Sequence, residues 1–453
     1  MATPANPASK RASAKKKTES GPAGDGEVLA LTSGTVCRLD PPDLRALTVV
    51  VENGQIRELT AAPPAGATVV DCQGLYLFPG FVNAHTQLWS TAERGMAAPR
   101  EQPTNHVQRL ERRWWPLGRA LDAGRLTATV EAAALMALLA GTTTVFDLYG
   151  GFEGGLVDGS LDVIADALDR VGVRGALAFA TTDGPQRQGS ESRRGVAETE
   201  RFLSSLTEKP RPRIRGLVGA AGSFLLRDQT AEALSDLALR HQATFHVPVA
   251  EDSIDAQRDA FVSAPAWLAA RGLQRPGSVY AHGTYLSDDD GARLRDAGVY
   301  LCHAPRAAMA DGADYGRPGR FGTQLVLGSG HAGVDVLAEA AIAALLGAAH
   351  HHTVDVIGAI ERARALATWH FGMPFELAPG GAADLIAVAY AAPTPVDVTS
   401  LAPHLLRGSW KVRHVLVDGE LVLKDGRSPR VDEEAVFAHA REAARAAQKL
   451  ARA

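Results

Sequence analysis

The sequence predicts an α/β protein: a (β/α)8 TIM-like barrel in the middle of the chain, with a small composite β-sandwich domain made from both ends. Three observations predict it. Short β-rich runs with turn signals fill residues 27–78 and return over 377–430. Between them, over 79–376, strand-like and helix-like runs alternate, as expected for parallel strands joined by helical crossovers, and about 290 residues suit eight such units. No Gly-x-Gly-x-x-Gly turn follows the early strands, which argues against a doubly wound open sheet.

In chain order, residues 1–26 (MATPANPASKRASAKKKTESGPAGDG) have almost no large apolar side chains. Burial cannot offset the entropy of ordering them, so a disordered tail is expected. Its basic cluster, Lys10, Arg11, Lys15, Lys16 and Lys17, is suited only to weak contacts with nucleic acid or an acidic partner. VLALTSGTV and ALTVVVENGQIREL follow, with a hairpin signal at Glu-Asn-Gly. GVRGALAFA, RIRGLVGA, ATFHVPVAE, GSVYAHG, VYLCHAP and QLVLGSG then read as barrel strands. Among the helices between strands, SLDVIADALDRV (160–171) spaces its apolar residues at i, i+3, i+4 and i+7, and TAEALSDLALRHQ (230–242) is another. The sandwich resumes in ADLIAVAY (383–390) and VRHVLVDGELVLKDG (412–426), where Asp418-Gly419 marks a second hairpin. Residues 431–453 predict a helix with acid at its start and base at its end, matching the helix dipole.

A hydrophobic fraction of 46% with 22% charged residues is that of an ordinary globular chain. A net charge of −4 argues against a dedicated nucleic-acid binder or a membrane-surface protein. No apolar run approaches a membrane span, and none follows the basic residues at the start, so neither an anchor nor a secretory signal is expected. Cys37, Cys72 and Cys302 are odd in number and far apart; they imply no disulfide framework or cysteine zinc site, and a cytoplasmic setting is expected.

Chemistry in a barrel of this kind sits at the C-terminal strand ends. The first barrel strand ends PGFVNAHTQLWS and supplies His85 and Gln87, which alternation places on one face. GTTTVFDLYG supplies Asp147, ATFHVPVAED supplies His246, Pro248 and Glu251, and SVYAHG supplies His282. LCHAPR supplies His303, and LVLGSGHAG ends in Gly330 and His331.

From about residue 28 to about residue 428 the chain resembles the amidohydrolase superfamily, in its deaminase and chlorohydrolase branch, close to the SsnA-type aminohydrolases. The resemblance is carried by LYLFPGFVNAHT, LERRWWPLGRALD (110–122), AGTTTVFD, GSLDVIADAL, HAPRAAM, LAPGGAADLIAV and PTPVDVTSLAPHLLRG, all in family order. It implies a divalent metal, zinc or iron, held by a His-x-His pair, a fifth-strand His and an eighth-strand Asp, which activates water for C–N bond hydrolysis. It also implies a proton-shuttling Glu three residues after the fifth-strand His, and a sixth-strand His that orients the hydroxide.

Carried over residue by residue, the implied metal site is broken. His85 matches the first ligand, but the second falls on Gln87, the third on Pro248 and the fourth on Gly330; a further His pair after Phe146-Asp147 is Leu148-Tyr149. A catalytic zinc needs about three N, O or S donors from the protein. The expectation is therefore no resident metal, with His85 the remaining ligand position and Glu251, His282 and His303 left as candidate acid–base residues. A displaced metal would need His85, His246, His282 and His331 together. Three functions follow: a catalytically impaired homologue that binds a small molecule or a partner such as an active relative; an active C–N hydrolase with a rearranged or metal-free site; and an interaction protein working through its basic tail. Family resemblance implies a homo-oligomer. Asp147 and Asp384 read as structural, and His350, His351 and His352 as a solvated helix end.

Overall fold

Sixteen strands build the molecule, described in a computed structural model for residues 28–97, 101, 103–150, 152, 154–184, 190–256 and 262–452. The expected tail over 1–26 lies outside the described residues. β1 (Leu29–Leu39), β2 (Pro42–Glu52), β3 (Gln55–Thr60), β4 (Thr68–Asp71) and β5 (Leu75–Pro79) precede the barrel. The barrel strands are β6 (Phe81–Thr86), β7 (Thr142–Gly150), β8 (Arg174–Thr181), β9 (Ile214–Ala220), β10 (Phe245–Val249), β11 (Val279–His282), β12 (Tyr300–His303) and β13 (Leu325–Leu327). β14 (Leu385–Ala389), β15 (Lys411–Val417) and β16 (Glu420–Leu423) return to the first group.

Asn53-Gly54 and Asp418-Gly419 both have positive φ at their two residues, the backbone a two-residue hairpin turn requires. They join β2 to β3 and β15 to β16. The sandwich strands form one continuous mixed sheet in the order β16-β15-β14-β5-β1-β2-β3, with β4 also on β1. β1 bends at a bulge between Leu31 and Gly34, pairing with β4 before it and with β5 after it. The sheet thereby encloses its own core of Leu31, Val49, Ile56, Leu77, Leu385 and Leu416.

The barrel strands run parallel in sequence order from β6 to β13. The predicted helices form where expected, at Ser160–Val171 and Asp228–Arg240. β13 meets β6 through the Thr86–Gly330 bridge, with the His85 carbonyl accepting from the N–H groups of Ser329 (2.9 Å) and Gly330 (3.0 Å). Gly328 permits this approach, because a β-carbon there would lie 2.7 Å from the His85 nitrogen.

At the N-terminal end the helix Val356–Phe371 carries Phe371, and then Phe375, to 5.0 and 5.5 Å from the Arg174 guanidinium. Arg174 is fully buried and donates to both Asp384 oxygens at 2.8 and 2.9 Å, tying barrel to mixed sheet. The predicted C-terminal helix spans Glu433–Leu450 and packs on the helix Ala123–Leu139 and the turn Leu88–Glu93. Among the described residues no helix is long and apolar enough to cross a membrane.

Candidate functional site

Two backbone irregularities aim side chains into the C-terminal mouth of the barrel. The β6–β7 register shifts between Asn83 and Thr86, and the buried His85 lies within that shift. His282 has φ +73°, a left-handed conformation that non-glycine residues adopt at a cost. It ends β11 in parallel with β10, and its ring comes within 5.1 Å of the His85 ring at 80°. His246, the second residue of β10, places Nε2 2.8 Å from His85 Nδ1. His85, His246 and His282 are all buried.

Burial, then the neighbouring His246, His282 and His331, holds His85 well below the usual imidazole range. Burial with His370 and His282 nearby brings His246 down to about 3. His282 is also lowered by burial, against the opposing pull of Glu251 and Asp311. The cluster is therefore uncharged at neutral pH. His85 Nε2 and His246 Nδ1 have no partner, an unusual condition for buried polar atoms.

Above the cluster lies a cavity of about 50 Å³ bordered by Gln87, Pro248, Glu251 and His331. Trp89, Trp114, Trp115 and Phe152 fill much of the mouth. Such a volume holds water but is far below the roughly 300–1,000 Å³ of ordinary ligand pockets. A short helix, His106–Arg109, continues as a π-helical turn, Leu110–Trp114, and delivers two of these tryptophans. Asn105 caps it by accepting from the Gln108 N–H. Arg109 fastens it across the mouth, donating to Asp252 Oδ2 at 2.9 Å and to the Asp311 carbonyl at 3.1 Å, and Arg113 pairs with Glu93.

Glu251 Oε2 sits 3.7 Å from His282 Nε2 and 3.9 Å from His106 Nε2, close enough for charge to matter but beyond a direct hydrogen bond. His331 is held elsewhere, its Nε2 3.1 Å from Asp311 Oδ2 and its ring 4.6 Å from that of Trp114. Burial works to raise the Asp311 carboxyl, but the bond and charge of His331, with Arg109 and His106, bring it below the usual carboxylate range. His303 does not border the mouth cavity. It lines a second cavity of about 170 Å³ with Met309, Tyr315 and His350, and burial next to His282 lowers it to about 3. His350, His351 and His352 are exposed, with His350 stacked on Tyr315.

The residues present do not fit the metal that the resemblance implies. Of the four ligand positions only His85 offers a donor suited to zinc. Gln87 is a neutral amide, Pro248 carries no side-chain donor, and Gly330 has no side chain at all. Among the described residues no group of three or more His, Cys, Asp or Glu side chains is placed to hold a metal ion. The structure brings His85, His246 and His282 together but keeps His331 on Asp311, so the four-histidine arrangement does not form. In the sequence the Trp114-Trp115 pair stands only as part of a family-like motif, and His106 and Arg109 are not among the predicted site residues; a double tryptophan beside basic residues is the available signal.

The Amidohydrolase family profile matches residues 76–422. The chain is 27% identical over 439 residues to a 5'-deoxyadenosine deaminase of Methanosarcina mazei, covering 92% of this chain and 97% of that protein. It is also 27% identical to a 5-methylthioadenosine/S-adenosylhomocysteine deaminase of Haloarcula marismortui, covering 91% and 97%. Among solved structures, an adenosine deaminase from Xanthomonas campestris with bound zinc superposes with a TM-score of 0.80 at 21% identity, covering 93% of this chain and 98% of that one. With a barrel of this topology and a profile matching most of its length, the chain belongs to the amidohydrolase family.

Proposed function

We propose that this chain is a catalytically impaired amidohydrolase, a deaminase-like scaffold that works by binding a small molecule or a partner chain rather than by metal-assisted hydrolysis. One observation carries the reading: an amide, a proline and a glycine stand at three ligand positions, beneath a mouth that retains only about 50 Å³. Either change alone would weaken deamination of a heterocycle; together they remove both the nucleophile's source and the room for the substrate. An active relative is one candidate partner, since the scaffold keeps the family's shape.

The test is elemental analysis of protein produced with zinc and iron supplied, followed by an ammonia-release assay on 5'-deoxyadenosine and S-adenosylhomocysteine. Metal far below one per chain and no ammonia are expected. Stoichiometric metal with turnover sinks the proposal.

The proximity of Glu251 to His282 favours one second reading, a metal-free acid–base site acting on an activated substrate. In that case Glu251→Gln abolishes any turnover found, whereas under the main reading there is none to abolish.

A further inference from the structure

The C-terminal helix carries a basic face that the proposed function does not use. Arg441, Arg445 and Lys449 follow one another at i, i+4 and i+8 on Glu433–Leu450, and Arg452 continues the row just past its end. They form one bank of a groove of about 590 Å³, and Arg94, from the turn that follows the Leu88–Glu93 segment, forms the other. Gln448 staples the banks together by donating to the carbonyls of Ala92 (2.8 Å) and Arg94 (3.1 Å).

Among the described residues no carboxylate lines the groove and none of its five cations makes an ion pair. Elsewhere in the molecule arginines are commonly paired, as at Arg109–Asp252, Arg113–Glu93 and Arg213–Glu420. Arg94 is further burdened, because its guanidinium and that of Arg306 both approach the space above Gly333, at 3.4 and 3.2 Å from where a β-carbon would stand. Five uncompensated cations on one side of a chain whose net charge is −4 leave −9 for the rest of it.

We propose that this groove docks an acidic peptide segment of a partner protein. Charge complementarity asks for carboxylates. The spacing asks for an extended strand: eleven helical residues at about 1.5 Å each span about 16 Å, the reach of five extended residues. The chain's own first 26 residues carry five basic and two acidic side chains, so they share the groove's sign and are not its occupant. A single-stranded nucleic acid is disfavoured because, among the described residues, no aromatic side chain lines the groove for base stacking.

The test is fluorescence anisotropy of a labelled hexaglutamate peptide on the full chain, with hexaserine and a single-stranded oligonucleotide as competing probes. Saturable hexaglutamate binding at low salt is expected, weakened at least about tenfold by Arg445→Glu with Lys449→Glu and by raising salt past physiological strength. The milder pair Arg441→Ala with Arg445→Ala should weaken it in the same direction, and both variants should keep the wild-type melting temperature. No binding of hexaglutamate, equal binding in the variants, or tighter binding of the oligonucleotide each overturns the proposal. So does a charge-reversed variant whose mass drops from dimer to monomer, which would make a second copy the occupant. None of these readouts depends on metal content or deaminase turnover.

Discussion

At the bottom of the barrel Arg174 is wholly buried, yet its charge is met: Asp384 takes two bonds, Asp418 a third at 3.3 Å, and Phe371 and Phe375 cover its face. At the top, His85, His246 and His282 are just as buried, but two of their ring nitrogens face nothing. The first cluster is what a fold keeps to hold two layers in register. The second is a neutral cluster whose internal bond joins His85 Nδ1 to His246 Nε2. Unpaired but neutral imidazoles survive there because burial suppresses their charge, so desolvation costs far less than for an ion.

That contrast breaks first at Arg174. Arg174→Ala strands Asp384 in the core and should cost about 3–5 kcal/mol in urea unfolding; a loss under about 1 kcal/mol would mean the bottom cluster is no firmer than the top. Next, His246→Ala removes the one partner of His85 Nδ1 and should cost about 1–3 kcal/mol. The double variant His85→Leu with His246→Leu should cost less than the two single changes added together, because no orphaned nitrogen is left.

The third expectation concerns pH. His246 and His303 bind a proton near 6.5 when unfolded but only at about 3 when folded, so the unfolded state takes up more protons between those values. Their contribution is complete above pH 6.5 and is lost as pH falls through that window toward 3. Asp147 works oppositely: burial raises it to about 7, so its contribution is present below pH 3.8 and is lost as pH rises to 7. With more histidines lowered than carboxyls raised in the barrel, the melting temperature should fall below pH 6, and more shallowly in the double leucine variant. A flat profile from pH 7 to pH 4 would contradict the assignment of these histidines as neutral. The smallest effect belongs to Glu251→Gln, less than about 1 kcal/mol on stability, because its carboxylate contacts His282 and His106 only beyond hydrogen-bond range.

The alternation that marks the barrel was legible because each strand and helix carries its own period: Ser160–Val171 can be located from its twelve residues and Arg174–Thr181 from its eight. The hairpins at Asn53 and Asp418 were equally local, since the turn chemistry sits in two residues. The candidate site was legible in part. Glu251 and His282 come within 3.7 Å of each other at the mouth, but His303 lines another cavity. The closure of the mouth by Trp114 was legible only as a double tryptophan beside basic residues; its placement depends on Arg109 reaching residues 143 and 202 positions away.

The sequence by itself determined which side chains stand at the positions that the resemblance assigns to metal ligands. Proline offers no side-chain donor and glycine no side chain in any fold, so Pro248 and Gly330 needed only to be matched to positions. Tertiary structure alone decided what stands there instead. His85 sits within a register shift, a left-handed His282 faces it, and His246 bonds to it from 161 residues away. These are consequences of strand closure, and a local pattern of residue types does not encode which ring nitrogen will meet which once eight strands have been brought round.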